Sequence, residues 1–232
     1  MPAVGVNTTQ ESGGRLSSAQ LRPDSFVDKL GAARASAILR TPHGDLAVDA
    51  MKSAISAGFR ICEFTLTIPG ALQHIETIAC QYPDVTVGAG TILTPNQARD
   101  AVSAGARFLV SPVLDVEVVE TAAELGVAII PGCSTPTEML AAHQAGAPLV
   151  KLFPGPAGGP HWVQAVLGPL PFLKIIPTSG VDLHNAAEFL SAGAHAIGFV
   201  APLFHPGAIE KQDWSQIEDR GRELLAACQQ TR

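Results

Sequence analysis

Two charged residues stand where apolar side chains are expected. Lys151 interrupts the run Leu149-Val150-Lys151-Leu152-Phe153, and Glu63 interrupts Ile61-Cys62-Glu63-Phe64. Burial strips an ammonium of its hydration and favours the neutral amine, the form that attacks a carbonyl and closes to a Schiff base. A buried carboxyl is shifted the other way and becomes an acid/base suited to neutral pH. Each residue also has a plainer reading. Lys151 could snorkel from a strand end, and the two could form a structural ion pair. A second lysine complicates the choice: Lys174-Ile175-Ile176-Pro177 repeats the pattern of Lys151-Leu152-Phe153-Pro154. Pattern alone does not say which of the two reaches a pocket.

The elements that would hold these groups are legible from a repeat. Gly58, Gly105, Gly126, Gly146 and Gly193 each close an amphipathic stretch and precede an apolar run. Glycine just past a helix is the expected left-handed cap, so the unit is helix, glycine, strand, loop. Eight apolar runs read as strands: 37–40, 61–66, 85–87, 108–111, 127–131, 149–153, 173–177 and 196–200. Near-continuous apolar strands alternating with helices predict a parallel α/β fold, a (β/α)8 TIM barrel with an extra N-terminal helix over 25–33. A doubly wound sheet would require a glycine fingerprint after the first strand. Arg40-Thr41-Pro42-His43-Gly44 does not supply one. With 232 residues, 47% of them hydrophobic, residues 21–232 suit a single domain. Residues 1–20 read as a flexible extension and not as a secretory signal.

Composition excludes several functions. The net charge is −6 with no basic run, which argues against a nucleic-acid partner. No run is long and apolar enough to span a membrane. Four scattered cysteines without C-x-x-C spacing point to a reduced, cytoplasmic protein. The histidines show no zinc spacing, so no metal is expected. Val87-Gly88-Ala89-Gly90-Thr91 lacks both the third glycine of a dinucleotide fingerprint and the lysine of a phosphate loop. It reads as a strand end that allows close approach. Thr135, or Ser134, should cap the next helix with Glu138 in support.

In an α/β barrel, chemistry sits at the carboxyl ends of the strands. The polar residues there include Arg40, Glu63, Thr65, Thr91, Lys151, Thr178 and Ser179. Together with Val87–Leu93, Ser111-Pro112, Ile130–Thr135, Val150–Pro154 and Pro177–Val181, the stretch Glu63-Phe64-Thr65-Leu66 resembles, in order, the 2-keto-3-deoxy-6-phosphogluconate / 4-hydroxy-2-oxoglutarate aldolase family. The resemblance implies a class I aldolase that releases pyruvate through a lysine imine, with no cofactor beyond that covalent link. It implies Lys151 as the imine lysine and Glu63 as the acid/base. It also implies Thr91, Pro112, Phe153 and Thr178 as pocket residues, a small keto acid as partner and a homotrimer.

This chain departs from the family at three places. Thr67 stands where the gluconate-type members carry an arginine, and Arg40 resembles the arginine of the phosphogalactonate type. Ser179-Gly180 replaces a Gly-Gly pair, and Phe199-Val200 replaces Gly-Ser. The last two alter the loops expected to hold a phosphate. An enzyme specialised for unphosphorylated 4-hydroxy-2-oxoglutarate, or for oxaloacetate decarboxylation, is therefore an alternative. A metabolite-binding barrel without turnover is another.

Overall fold

The computed structural model describes residues 23–155 and 157–230. The expected extension at residues 1–20 lies outside the described residues. Parallel strands alternate with helices through the chain. Helix α1 (Pro23–Ala33) leads into β1 (Ala35–Leu39), α2 (Gly44–Ala57), β2 (Ile61–Thr65), α3 (Ala71–Gln81) and β3 (Thr86–Gly90). Then follow α4 (Pro95–Ser103), β4 (Phe108–Val110), α5 (Val116–Glu124), β5 (Ala128–Ile130), β6 (Gly132–Cys133) and α6 (Pro136–Gln144). The chain continues through β7 (Val150–Leu152), α7 (Gly159–Leu167), β8 (Ile175–Pro177), α8 (Ala186–Ser191), β9 (Ile197–Phe199), α9 (Pro206–Glu210) and α10 (Trp214–Gln229). The glycine closing each repeat takes a left-handed φ, as at Gly105 (103°) and Gly193 (100°).

Six strands form one curled parallel sheet in the order β5-β4-β3-β2-β1-β9, and three form a second in the order β6-β7-β8. Pro131 is the reason that one apolar run yields two strands. Proline has no N–H to donate, so the ladder to β4 stops at Ile130. Its carbonyl accepts instead from Lys151 N at 2.9 Å, and β6 proceeds against β7. On the far side, Thr178 bridges to Gly198 and His195 N donates to the Ile175 carbonyl at 2.8 Å.

Alternation along each strand divides the interior in two. Cys62, Phe64, Val150 and Leu152 join a large core with the helices outside the sheet. Ile61, Phe108, Val110, Ile130, Leu149 and Ile176 join a smaller core drawn from both sheets. Helix α1 adds Phe26 and Leu30 to this inner cluster, and Phe26 stacks on Phe108 with ring centroids 4.6 Å apart. Lys29 secures the helix through a 2.6 Å hydrogen bond to the Thr86 hydroxyl.

The third strand differs from its expected extent. The glycines of Val87–Thr91 do not end it; they form its inner face. A Cβ on Gly88 would lie 2.4 Å from the Phe108 ring, and one on Gly90 would lie 1.8 Å from Glu63 Oε1. These glycines are therefore in the strand because neighbouring side chains fill the space that a Cβ needs. That reason is long-range, whereas local propensity marks glycine as a strand breaker.

A steric test follows. Gly88→Ala should cost about 1–3 kcal/mol of stability through overpacking, read from urea unfolding. Adding Phe108→Leu should recover part of that loss, giving a non-additive cycle.

Candidate active site

Glu63 occupies the middle of β2 and pairs with Ile38 of β1 and Gly88 of β3. Lys151 occupies the middle of β7, between Gly132 of β6 and Ile176 of β8. Both follow the inward phase of their strands, two residues beyond Ile61 and Leu149. They are 2% and 5% exposed. Lys174 precedes β8 and is exposed, so the two similar lysine patterns have opposite fates. Only Lys151 shares a cavity with Glu63, one lined also by Ser36, Ile38, Thr178 and inner-core residues.

Burial dominates the electrostatics of both groups. Burial pushes the Lys151 amine below its ordinary value, outweighing the upward pull of Glu63; Arg40 lowers it further. Burial likewise pushes the Glu63 carboxyl up, outweighing the charges of Lys151 and Arg40. Desolvation is the largest influence on both groups, so both are driven toward their neutral forms. The Lys151 nitrogen also lies 5.1 Å from the centroid of the Phe153 ring. A structural ion pair is not what the geometry shows. The ion pairs among the described residues are all at the surface, and Glu63 Oε1 is buried without a hydrogen-bond partner in the protein.

The other candidates surround this pair at the carboxyl ends of the strands. Arg40 follows β1 directly and is exposed. Its backbone root is fixed by Thr65, whose hydroxyl donates to the Leu39 carbonyl at 3.2 Å and lies 2.9 Å from the Thr67 hydroxyl. Thr67 is exposed in the turn beyond. Thr91 follows β3 with φ 63°, a conformation that costs a β-branched residue about 1–3 kcal/mol. Hydrogen bonds on either side hold it there, from Leu66 N to the Gly90 carbonyl and from Ile92 N to the Val110 carbonyl. Pro112 is half-buried after β4, with the Gly132 backbone packed against its carbonyl. Thr178 is buried at the end of β8.

Ser179 and Gly180 do not join the Glu63–Lys151 cavity. Both are exposed with φ near 76° (77° and 75°), and the Ser179 carbonyl abuts Gly155 in the loop after β7. Phe199 does not point inward either. It is buried in the outer core, edge-on to Phe59 at 6.4 Å, and the inward position of β9 belongs to Gly198. Its bulk therefore stays out of the site. Directly after β6, Thr135 and Glu138 form a capping box that starts α6, and the hydrogen bonds from Ser134 and Thr135 hold the Glu138 carboxyl below the usual range. Ser36 was missed because the first strand was expected to start at residue 37. Extending the inward phase of Ile38 back by two residues would have found it.

No cluster of three or more His, Cys, Asp or Glu residues suited to a metal occurs among the described residues. No helix among them is long and apolar enough to cross a membrane. Residues 27–220 match the family model described as KDPG and KHG aldolase. The chain is 34% identical over 183 residues to the 2-dehydro-3-deoxy-phosphogluconate aldolase of Dickeya dadantii, covering 78% of this chain and 86% of that one. It is 35% identical over 173 residues to the 2-dehydro-3-deoxy-6-phosphogalactonate aldolase of Escherichia coli, covering 74% and 84%. Among solved structures, the Legionella pneumophila KDPG aldolase with pyruvate captured as a covalent carbinolamine superposes with TM-score 0.77 at 28% identity, covering 84% of this chain and 97% of that one. A cube-shaped cage designed by fusing symmetric oligomeric domains superposes with TM-score 0.78 at 30% identity, covering 85% and 72%.

The lysine carries a stability signature. Unfolded, the amine is charged below its ordinary value of 10.5; folded, burial resists that charge. Stability is therefore complete above that value and is lost as pH falls toward the depressed folded pKa. Lys151→Met lacks this penalty and should be more stable at pH 7, by on the order of 1–4 kcal/mol. The gap should shrink as the pH is raised past the ordinary value. Thermal melts of both proteins across that range provide the check.

Proposed function

Because the chain belongs to the KDPG and KHG aldolase family, we propose that Lys151 and Glu63 carry the chemistry of a class I aldolase. The enzyme splits 2-keto-3-deoxy acids and releases pyruvate. Its substrate would be 2-keto-3-deoxy-6-phosphogluconate, giving glyceraldehyde 3-phosphate, or 4-hydroxy-2-oxoglutarate, giving glyoxylate. The observation that carries the assignment is one cavity shared by a buried amine and a buried carboxyl, both driven neutral by desolvation.

That starting state balances every proton. Neutral Lys151 attacks the C2 ketone, and the Glu63 proton leaves with the C2 oxygen as water. An iminium and a carboxylate remain. The carboxylate takes the proton of the 4-hydroxyl as the C3–C4 bond breaks, and the electrons settle as an enamine. Glu63 returns its proton to C3, then accepts one from the water that attacks the pyruvate iminium. Collapse of the carbinolamine frees pyruvate and restores both neutral groups. A lysine imine supplies the electron sink, so the reaction requires no metal.

Arg40 is the natural fork for the substrate carboxylate, since it follows β1 and its charge is felt by both catalytic groups. Thr91, held in a strained conformation beside them, would supply a further hydroxyl, with Pro112, Phe153 and Thr178 lining the pocket. Thr67 tightens the turn beside Arg40. Ser179 and Gly180 would border the far end of the substrate.

The same reading takes the two sheets as one (β/α)8 barrel. Pro131 alone separates β5 from β6, and the Thr178–Gly198 bridge links β8 to β9. Helix α1 would be the extra N-terminal helix that floors a single domain over 21–232. Exposed Leu93, Val113 and Val116 around the β3 and β4 loops would be covered by neighbouring copies in a homotrimer. Cys62 and Cys133 persist as buried thiols pushed up to about 12, which suits a reducing cytoplasm.

One observation favours an unphosphorylated substrate. In the loop after β9, Leu203 N and Phe204 N are committed to the Val200 carbonyl, and Pro202 has no N–H. A phosphate would find few amides there.

Borohydride reduction in the presence of pyruvate should leave a 1-carboxyethyl group on Lys151, located by peptide mass spectrometry. Lys151→Met should take up none; labelling at Lys174 instead would refute the assignment. Phosphorylated and unphosphorylated keto acids should then be compared by pyruvate release. A kcat/KM advantage of about 100-fold, or some 2.7 kcal/mol, for the phosphorylated acid would remove the second reading.

A further inference from the structure

Helix α1 lies against the amino ends of the strands. Its ring stack reaches Phe108, the first residue of β4, and its Lys29 bond reaches Thr86, the first residue of β3. A third fastening comes from His195, which precedes β9. Its Nε2 lies 3.0 Å from the Val27 carbonyl of the helix. A carbonyl only accepts, so Nε2 carries a proton, and it does so in the neutral and the charged ring alike. The backbone N–H of His195 donates to the Ile175 carbonyl at 2.8 Å. One residue thus joins the helix to β8 and β9, where the two sheets meet.

Gly31 makes room for this clamp. Glycine inside a helix costs about 1 kcal/mol relative to alanine. A Cβ at that position would lie 2.8 Å from His195 Cε1 and 2.9 Å from Nε2. The imidazole occupies the space that a side chain would need.

The face held down in this way is apolar. Phe26 and Leu30, one helical turn apart, are 0% and 1% exposed. They cluster with Ile61 and Leu149, each one inward step before Glu63 and Lys151. They also line the same cavity as the charged pair. That cavity has a volume of about 10 Å³, room for no more than one water. Two side chains of α1 therefore stand between the pair and bulk water on this side.

We infer that α1 is the water seal beneath Glu63 and Lys151, and that His195 is a positioning residue for that seal, acting on the pair only through the helix. Burial is the largest influence on both groups, so loosening the seal returns each toward its charged form. Glu63 and Arg40 are the charges that act on Lys151, and the rest of the cavity wall is uncharged. On α1, Asp24 and Asp28 are exposed and Lys29 is bound to Thr86. Asp28 and Arg34 border the surface hollow beside His195.

The amine can be followed without substrate, which separates this inference from the aldolase reading. Acetic anhydride acetylates neutral amines, and peptide mass spectrometry gives the rate at Lys151 at pH 7 relative to pH 10. Leu30→Asn keeps the side-chain size but lets water pass, and should lower that ratio at least about fivefold. His195→Phe keeps a ring against Gly31 without the hydrogen bond, and should lower it at least about threefold. His195→Gln, which can return a donor to Val27, should stay within about 1.5-fold of wild type. Met51→Ala truncates the outer core and controls for lost stability; it should stay within the same margin. An unchanged ratio in Leu30→Asn or in His195→Phe would overturn the inference. So would an equal fall in Met51→Ala, which marks general loosening. If Leu30→Asn does not fold, His195→Phe decides alone. Failure of wild type to trap an imine with pyruvate would refute the aldolase reading and leave the acetylation result standing.

Discussion

The structure depends on the cost of putting an amine and a carboxyl together in a space without bulk water. Coulomb attraction would favour the charged pair, and in many proteins it does so at the surface, where hydration survives. Here desolvation is the larger influence on each partner. The two groups therefore approach neutrality from opposite sides, one giving up and one retaining a proton. Stability alone would favour an aliphatic pair at positions 63 and 151. On the aldolase reading proposed above, what the fold gains instead is an amine shifted toward its nucleophilic form and a carboxyl shifted toward its acid form.

The surrounding architecture serves to hold that arrangement rigid. The helices are tied to the outer face of the strands by a large apolar core, which leaves the inner face free to carry a few polar groups. The inner face is narrow enough that single atoms matter. Gly88 yields its Cβ position to the Phe108 ring, and Gly198 yields its own to Thr178. The loops above are restrained individually: Thr65 holds the chain before Arg40, flanking hydrogen bonds hold Thr91, and a capping box starts α6. On the aldolase reading, such restraints would keep the side chains of the site within the small tolerances that proton transfer demands.

Much of this could be read from the order of residues. Lys151 and Glu63 stood out because a charge in an apolar run contradicts its surroundings, and the helix–glycine–strand unit set the alternation of elements. The choice between Lys151 and Lys174 was not readable from pattern. Both precede apolar residues and a proline, and only the strand register places one inside and leaves the other in solvent. The glycines of β3 were misplaced because their reason lies across the sheet. The same blindness made Phe199 look like an intrusion into the site, when the phase of β9 turns it outward and gives the inner position to Gly198. Inward phase is a two-residue matter, and a strand boundary misplaced by one residue is enough to hide Ser36.

Gly90 carries an evolutionary consequence. Its backbone is ordinary extended chain, so alanine would suit the local conformation and remove unfolded-state entropy, a gain of about 0.4–1 kcal/mol. The Glu63 carboxyl, lying where that methyl would sit, forbids it. The two positions are epistatic. A lineage that first lost the long acid would find alanine at 90 advantageous, and that methyl would then bar the acid from returning. Loss of the buried acid would act as a ratchet, turned by one carbon atom on the neighbouring strand.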